Sequence, residues 1–303
     1  MDRRTFLKTS VAGAVAGLSM GGLKSFAADA APGKAVLKLC SQESRLPGKS
    51  LKEKVDNLLK FGGVGMEFGA LNMERAKQIK DELKGTGCGV AALCWGYFTV
   101  IDPDAAKRKE AAEKLKAALD VAAEVGSTGV IMVPAFNKHP QLEGEEGFKA
   151  IVDILPAVGE HAVKVGNRIL LEPLNKGEAH FMNRLEQAVR ICEAVKSPGI
   201  CMMGDFYHMC KEEKDDEQAF ITAGKWLHHV HLASRVRNLP GQDQLKEPDK
   251  PERSFVAGFR GLKKIGYQDY CSLECGVHKG TDPMVEIPKS FAMLKKQWEE
   301  AVV

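Results

Sequence analysis

Residues 168–175 read RILLEPLN: an apolar run, Ile169-Leu170-Leu171, that stops at a carboxylate, Glu172, just before Pro173. A charge at the end of a buried strand is costly unless something there requires it. Three later runs have the same form. ICMMGDFY (200–207) leads to Asp205, HHVHLAS (228–234) carries His231, and YCSLECG (270–276) carries Glu274. Several buried strands with such tips point to convergence on one charge-hungry object, and a divalent metal is the simplest.

Upstream lie four more β-rich apolar runs, KAVLKLCSQ (34–42), GVGMEFG (63–69), GVAALCWG (89–96) and GVIMVPAF (129–136). Between the runs the period becomes helical, most clearly in SLKEKVDNLLKFG (50–62), MERAKQIKDELKGTG (73–87), DAAKRKEAAEKLKAALDVAAEVG (104–126) and NRLEQAVRICEAV (183–195). Ser50 with Glu53, and Asn183 with Glu186, have the spacing of capping boxes. Gly62, Gly85, Gly126 and Gly166 stand where helices should stop. Pro156 inside EGFKAIVDILPAVGEHAVKVG (146–166) predicts a kink or break.

Strict alternation of helices with continuously apolar strands indicates a parallel sheet covered by helices. Eight units in the residues after about position 30 predict an α/β fold, a closed (β/α)8 TIM barrel formed by residues 31–303 as one domain. An open doubly wound sheet would place a ligand at a single switch point, and no glycine-rich phosphate fingerprint supports it. In a barrel, Glu172, Asp205, His231 and Glu274 all reach the same rim.

The chain has 303 residues, 44% hydrophobic and 27% charged, a composition that fits a folded, soluble protein. Its formal net charge of +3 is concentrated in residues 1–30, where Arg3, Arg4, Lys8 and Lys24 outnumber Asp2 and Asp29. What remains is nearly neutral and offers no basic field for nucleic acid. DRRTFLK (2–8), a weakly apolar stretch and alanines near position 28 resemble a twin-arginine export signal. The expected destination is the periplasm, reached already folded and metal-loaded, with no membrane attachment after signal removal. The eight cysteines lack paired CxxC spacing and read as small buried hydrophobes. A homo-oligomer is compatible with the sequence.

Three carboxylates and one imidazole without a thiolate make a hard site suited to Mn, Mg or Co, with Zn compatible. Around them stand Glu-Pro-Leu-Asn-Lys-Gly-Glu (172–178), Asp-Phe-Tyr-His (205–208) and, six residues after His231, Arg237. In these motifs the chain resembles the xylose-isomerase-like TIM barrels, and within them the ketose 3-epimerases and hydroxypyruvate isomerases. The resemblance spans the chain after residue 30 but is motif-specific only from about residue 168. It implies that Glu172, Asp205, His231 and Glu274 ligate one divalent ion and that Glu172 and Glu274 also exchange protons with substrate. It also implies that His208, Arg237 and Glu178 hold a small carbohydrate.

Chemical logic agrees: a metal chelating adjacent carbonyl and hydroxyl oxygens stabilises the enediolate left when the neighbouring C–H proton departs. The expected activity is therefore isomerisation or epimerisation of a small ketose or hydroxy-keto compound through a cis-enediolate. Val236, and Ala233-Ser234, depart from the epimerase pattern on the substrate side. The same site could instead support β-elimination from a 3-keto-glycoside or dehydration of a keto acid. A nuclease cutting at abasic sites fits poorly, because strands two to four end in Glu67, Trp95 and Phe136 without histidine ligands. A sugar-binding barrel without chemistry is disfavoured by retention of both glutamates. Glu67 reads as a charge at the barrel top, with orienting Arg237 or a substrate hydroxyl as the lesser reading; His229 reads as a satisfied core histidine one layer below His231, and Trp95 and Phe136 as stacking on sugar or packing in the core or rim.

Overall fold

The computed structural model describes residues 34–303, so the export-signal reading of residues 1–30 lies outside the described residues. Eight strands follow one another with helices between them. β1 (Lys38–Gln42), β2 (Gly65–Gly69), β3 (Gly89–Tyr97) and β4 (Val130–Val133) alternate with α1 (Leu51–Phe61), α2 (Met73–Leu83) and α3 (Ala105–Val125). The second half runs α4 (Gly144–Val165), β5 (Ile169–Leu171), α5 (Leu185–Val195) and β6 (Ile200–Asp205). It continues through α6 (Phe206–Glu212), α7 (Asp216–Ala223), β7 (Leu227–Leu232), α8 (Val256–Lys264), β8 (Tyr270–Leu273) and α9 (Pro283–Glu300).

All neighbours pair in parallel and β1 pairs with β8, so the sheet closes into the eight-stranded barrel expected from the alternation. Side chains alternate across the barrel wall. Ile169 and Leu171 of β5 join the large core between strands and helices, whereas Leu170 joins Ala92, Ile131, Cys201 and Met203 in a smaller cluster. That apolar cluster is small because Ser41, Glu67, His229, His231 and Ser272 are also fully buried. The cysteines are free, and those buried pack as small apolar groups.

Helix ends follow the sequence signals with two corrections. The Ser50 hydroxyl accepts from the Glu53 amide, and Gly62, Gly126 and Gly166 close their helices in the left-handed conformation. The cap of α5, however, is Arg184, one residue later than expected. Gln187 Oε1 receives the amides of both Asn183 and Arg184, which leaves the Asn183 side chain to donate to the carbonyls of Leu174 and Ala179. Asn183 is thus spent on the loop after β5. Pro156 does not break α4, which runs continuously through it. No helix among the described residues is long and apolar enough to cross a membrane.

Candidate active site

Parallel strands deliver their C-terminal ends to one rim, and the four strand-tip side chains meet there. Glu172 directly follows β5, where its amide donates to the Met132 carbonyl of β4 at 3.1 Å. Asp205 is both the last residue of β6 and the N-cap of α6: its Oδ1 accepts from the Tyr207 amide at 2.8 Å, leaving Oδ2 for the rim. Asp205 lies beside His231 in the β6–β7 register. Glu274 follows β8, its amide bonded to Leu232 O of β7.

One ligand atom from each of Glu172, Asp205, His231 and Glu274 lies within 4.8 Å of the others. His231 Nδ1 stands 3.2 Å from Glu274 Oε2 and 3.6 Å from Glu172 Oε1. Glu172 Oε1, Asp205 Oδ2 and His231 Nδ1 are buried, yet none has a hydrogen-bond partner in the protein. Buried polar atoms without partners are uncommon in folded proteins, and three of them facing one point mark a place for a ligand. The donor set of three carboxylates and one imidazole nitrogen fits a hard or borderline divalent ion.

Electrostatics favour the same occupant. Burial raises the Asp205 pKa to about 7, helped by the charge on Glu274, and burial likewise raises that of Glu172. Burial opposes ionisation of Glu274 too, but His231 and Arg237 overcome it and hold its carboxyl down at about 2. Three acids packed this closely repel one another, and a divalent cation among them would offset that repulsion.

The substrate-side residues expected from the sequence flank this cluster. Arg237, with φ of 60°, donates from Nη2 to Glu274 Oε2 at 2.5 Å and lies 4.5 Å above the Tyr207 ring. Its Nη1 is 4.0 Å from Glu178. His208 is buried, and its Nδ1 accepts from the Asn175 amide at 3.1 Å. Burial and the neighbouring Arg237 depress its pKa to about 3. Its other nitrogen, Nε2, faces Arg237 Nη1 at 3.2 Å and Asp205 Oδ2 at 3.4 Å. Asn175 also donates to Glu178 Oε1 at 2.9 Å, tying the loop after β5 to this wall.

Glu67 does not take the lesser role read for it, orienting Arg237 or a substrate hydroxyl. Its Oε2 lies 2.8 Å from His229 Nε2 and 2.9 Å from His231 Nε2, and it contacts neither Arg237 nor the open rim. His229 is buried as expected, but only its Nε2 is satisfied, and its Nδ1 has no hydrogen-bond partner in the protein. Gln42, at the tip of β1, donates from Nε2 to Glu67 Oε1 at 2.9 Å and to Glu274 Oε1 at 3.2 Å. Gln42 was not singled out in the sequence, although it is the polar residue ending KAVLKLCSQ; nothing local shows which neighbours it meets. Trp95 packs against the main core and Phe136 against Val133, Leu174 and Ala179. His139 stacks on Tyr97 at 4.4 Å, away from the ligand cluster.

Fold and site together define a (β/α)8 barrel with an oxygen-rich, metal-type centre on the C-terminal rim. The chain belongs to the xylose isomerase-like TIM barrel family, whose model matches residues 55–297. It is 28% identical over 271 residues to the 3-dehydro-D-guloside 4-epimerase of Escherichia coli K12, covering 86% of this chain and 99% of that one. It is 24% identical over 227 residues to the L-ribulose 3-epimerase of Mesorhizobium japonicum, covering 74% and 72%. The crystal structure of a 3-keto-D-glucoside 4-epimerase from E. coli superimposes with a TM-score of 0.75 at 26% identity, over 86% of this chain and all of that one. An L-ribulose 3-epimerase structure gives 0.76 at 21% identity over 88% and 96%, a likeness of fold.

Proposed function

We propose that this protein is a metal-dependent sugar epimerase or isomerase that moves a proton on a carbon next to a carbonyl, through a cis-enediolate. The observation that carries the reading is the convergence of Glu172, Asp205, His231 and Glu274 with three buried ligand atoms left without protein partners. A divalent ion held by these four, Mn, Mg or Co with Zn compatible, would supply positive charge for the oxyanion that develops. Epimerisation needs a base on one face of a planar intermediate and an acid on the other. Glu172 and Glu274 come from β5 and β8, three positions apart round the ring, and take those two roles. His208, through its Nε2 edge, and Arg237, through its planar guanidinium, orient the substrate oxygens, Arg237 while also holding Glu274. Glu178, tethered by Asn175, accepts from a substrate hydroxyl.

The substrate is a small carbohydrate bearing a ketone. The E. coli relative of full-length match is named for a 3-dehydro glycoside, which keeps β-elimination as a second reading. Loss of a C2 proton from a 3-keto-glycoside can be followed by cleavage of C1–O, with the electron pair forming C1=C2 and the aglycone leaving as its alcohol. The basic leader favours a periplasmic protein that meets free sugars or glycosides. Incubating Mn-loaded protein with ketoses and 3-keto-glycosides in deuterium oxide separates the outcomes by NMR. Deuterium next to the carbonyl with inverted configuration is the expected result, and release of aglycone would favour elimination. If no compound in a broad panel exchanges that proton, the reading fails.

A further inference from the structure

Glu67 belongs to neither the proposed ligand set nor the substrate wall, yet it is a fully buried carboxylate with both oxygens engaged. We propose that Glu67 is the positioning residue of the metal centre: it holds His231 in the tautomer that presents Nδ1 to the ion and, through Gln42, holds Glu274 in place. This rests on the metal-dependent reading above.

The argument begins with the two nitrogens of one ring. His231 Nε2 lies 2.9 Å from Glu67 Oε2, and a carboxylate can only accept, so Nε2 carries the hydrogen. The opposite nitrogen, Nδ1, is the buried atom without a partner, 3.2 Å and 3.6 Å from the carboxylates of Glu274 and Glu172. In the other tautomer the Nδ1 hydrogen would point into the ligand cluster and leave Glu67 facing a bare nitrogen. A carboxylate behind a ligating imidazole also raises the basicity of the coordinating nitrogen and fixes the ring's angle.

His229 strengthens the hold. It meets the same Oε2 at 2.8 Å, and its ring stands at 87° to that of His231, so the carboxylate is pinned between two imidazoles two residues apart on β7. The other oxygen leads to the second half of the device. Gln42 Nε2 has two hydrogens, directed to Glu67 Oε1 and to Glu274 Oε1. A chain of contacts therefore runs His231–Glu67–Gln42–Glu274, from β7 through β2 and β1 to β8, and both of its ends are proposed ligands. Arg237 takes the remaining oxygen of Glu274, so Gln42 and Arg237 clamp that carboxylate from two sides.

Titration calorimetry with Mn2+ on the chelator-stripped protein tests this. Wild type should bind one Mn2+ per chain, and Glu67→Gln, which keeps the size but removes the negative charge behind His231 and turns one acceptor oxygen into a donor, should bind it about 10- to 100-fold more weakly. An unchanged Kd in Glu67→Gln, with wild type still binding one ion, overturns the positioning role and leaves the metal reading standing. Wild type that binds no Mn2+ fails the metal reading itself. Two ions per chain would make Glu67, His229 and His231 a second site and overturn the proposal as well. A measurement on the wild type guards against a variant that does not fold. In the Zn2+-loaded protein, long-range 1H–15N NMR of the assigned histidines should show His231 protonated on Nε2 and metal-shifted at Nδ1; a bare Nε2 overturns the proposal. Gln42→Ala, which releases Glu274 Oε1 and Glu67 Oε1, should slow deuterium exchange about 10-fold or more even at saturating Mn2+. Exchange at the wild-type rate would remove Gln42 from the chain.

Discussion

At the residue scale, the site is a problem of three acids in one buried space. Glu172, Asp205 and Glu274 differ mainly in their neighbours: Glu274 has Arg237 and Gln42, Asp205 spends one oxygen capping α6, and Glu172 leaves Oε1 without a hydrogen-bond partner. If Glu274 transfers a proton, Glu274→Gln should lower turnover about 10²- to 10⁴-fold. The amide fills the same volume, so the thermal midpoint of the metal-free variant should stay close to that of wild type. Activity within a few-fold of wild type would assign the chemistry elsewhere. These four residues were legible in the sequence because each ends an apolar run, a position where an ionisable group is conspicuous. The partners of Glu67 were not legible, because His229, His231 and Gln42 come from strands brought next to β2 only by closure of the barrel.

At the scale of elements, the position of Asp205 depends on how α6 leaves β6. The next residue, Phe206, sits in an aromatic cluster, 5.3 Å from Phe220, 4.9 Å from Phe255 and 6.0 Å from Phe259 by ring centroids. Gly258 lets α8 approach this cluster: a Cβ there would stand 2.5 Å from Phe206 Cε1 and Cζ. Gly258→Ala should therefore destabilise the protein by about 1–3 kcal/mol, seen as a lower urea midpoint. An unchanged midpoint would mean that the Phe206 ring yields at little cost. The helices read from the sequence stand where periodicity placed them. The shift of the α5 cap to Arg184 was not readable, since Asn183 is drawn away by the carbonyls of Leu174 and Ala179 in a loop whose path the local sequence does not specify.

At the scale of the whole molecule, the barrel holds the unpartnered ligand atoms of Glu172, Asp205 and His231 at one end and a closed ion pair toward the other. His228, at the start of β7, is 2.7 Å from Asp269, just before β8. Burial opposes the charge on His228, but the bond to Asp269 outweighs it and lifts the pKa to about 9. A folded-state value above the ordinary 6.5 means that this stabilisation is complete below about pH 6.5 and lost as pH rises through about 9, with about 2 kcal/mol at stake for a partly exposed pair. His228→Gln should flatten the fall of the urea midpoint between pH 7 and 10; a decline identical to wild type would place its origin elsewhere. The amino-acid sequence by itself determined the alternation of strands and helices, hence the parallel barrel, and the identity of the four strand-tip groups. Periodicity and the cost of burying a charge are local properties that a linear chain displays. Only the tertiary structure decided that Glu67 lies behind His231, that Gln42 bridges to Glu274 and that His208 turns Nε2 toward Arg237 and Asp205. Those facts depend on which atoms end up within hydrogen-bonding distance of one another when β8 closes onto β1.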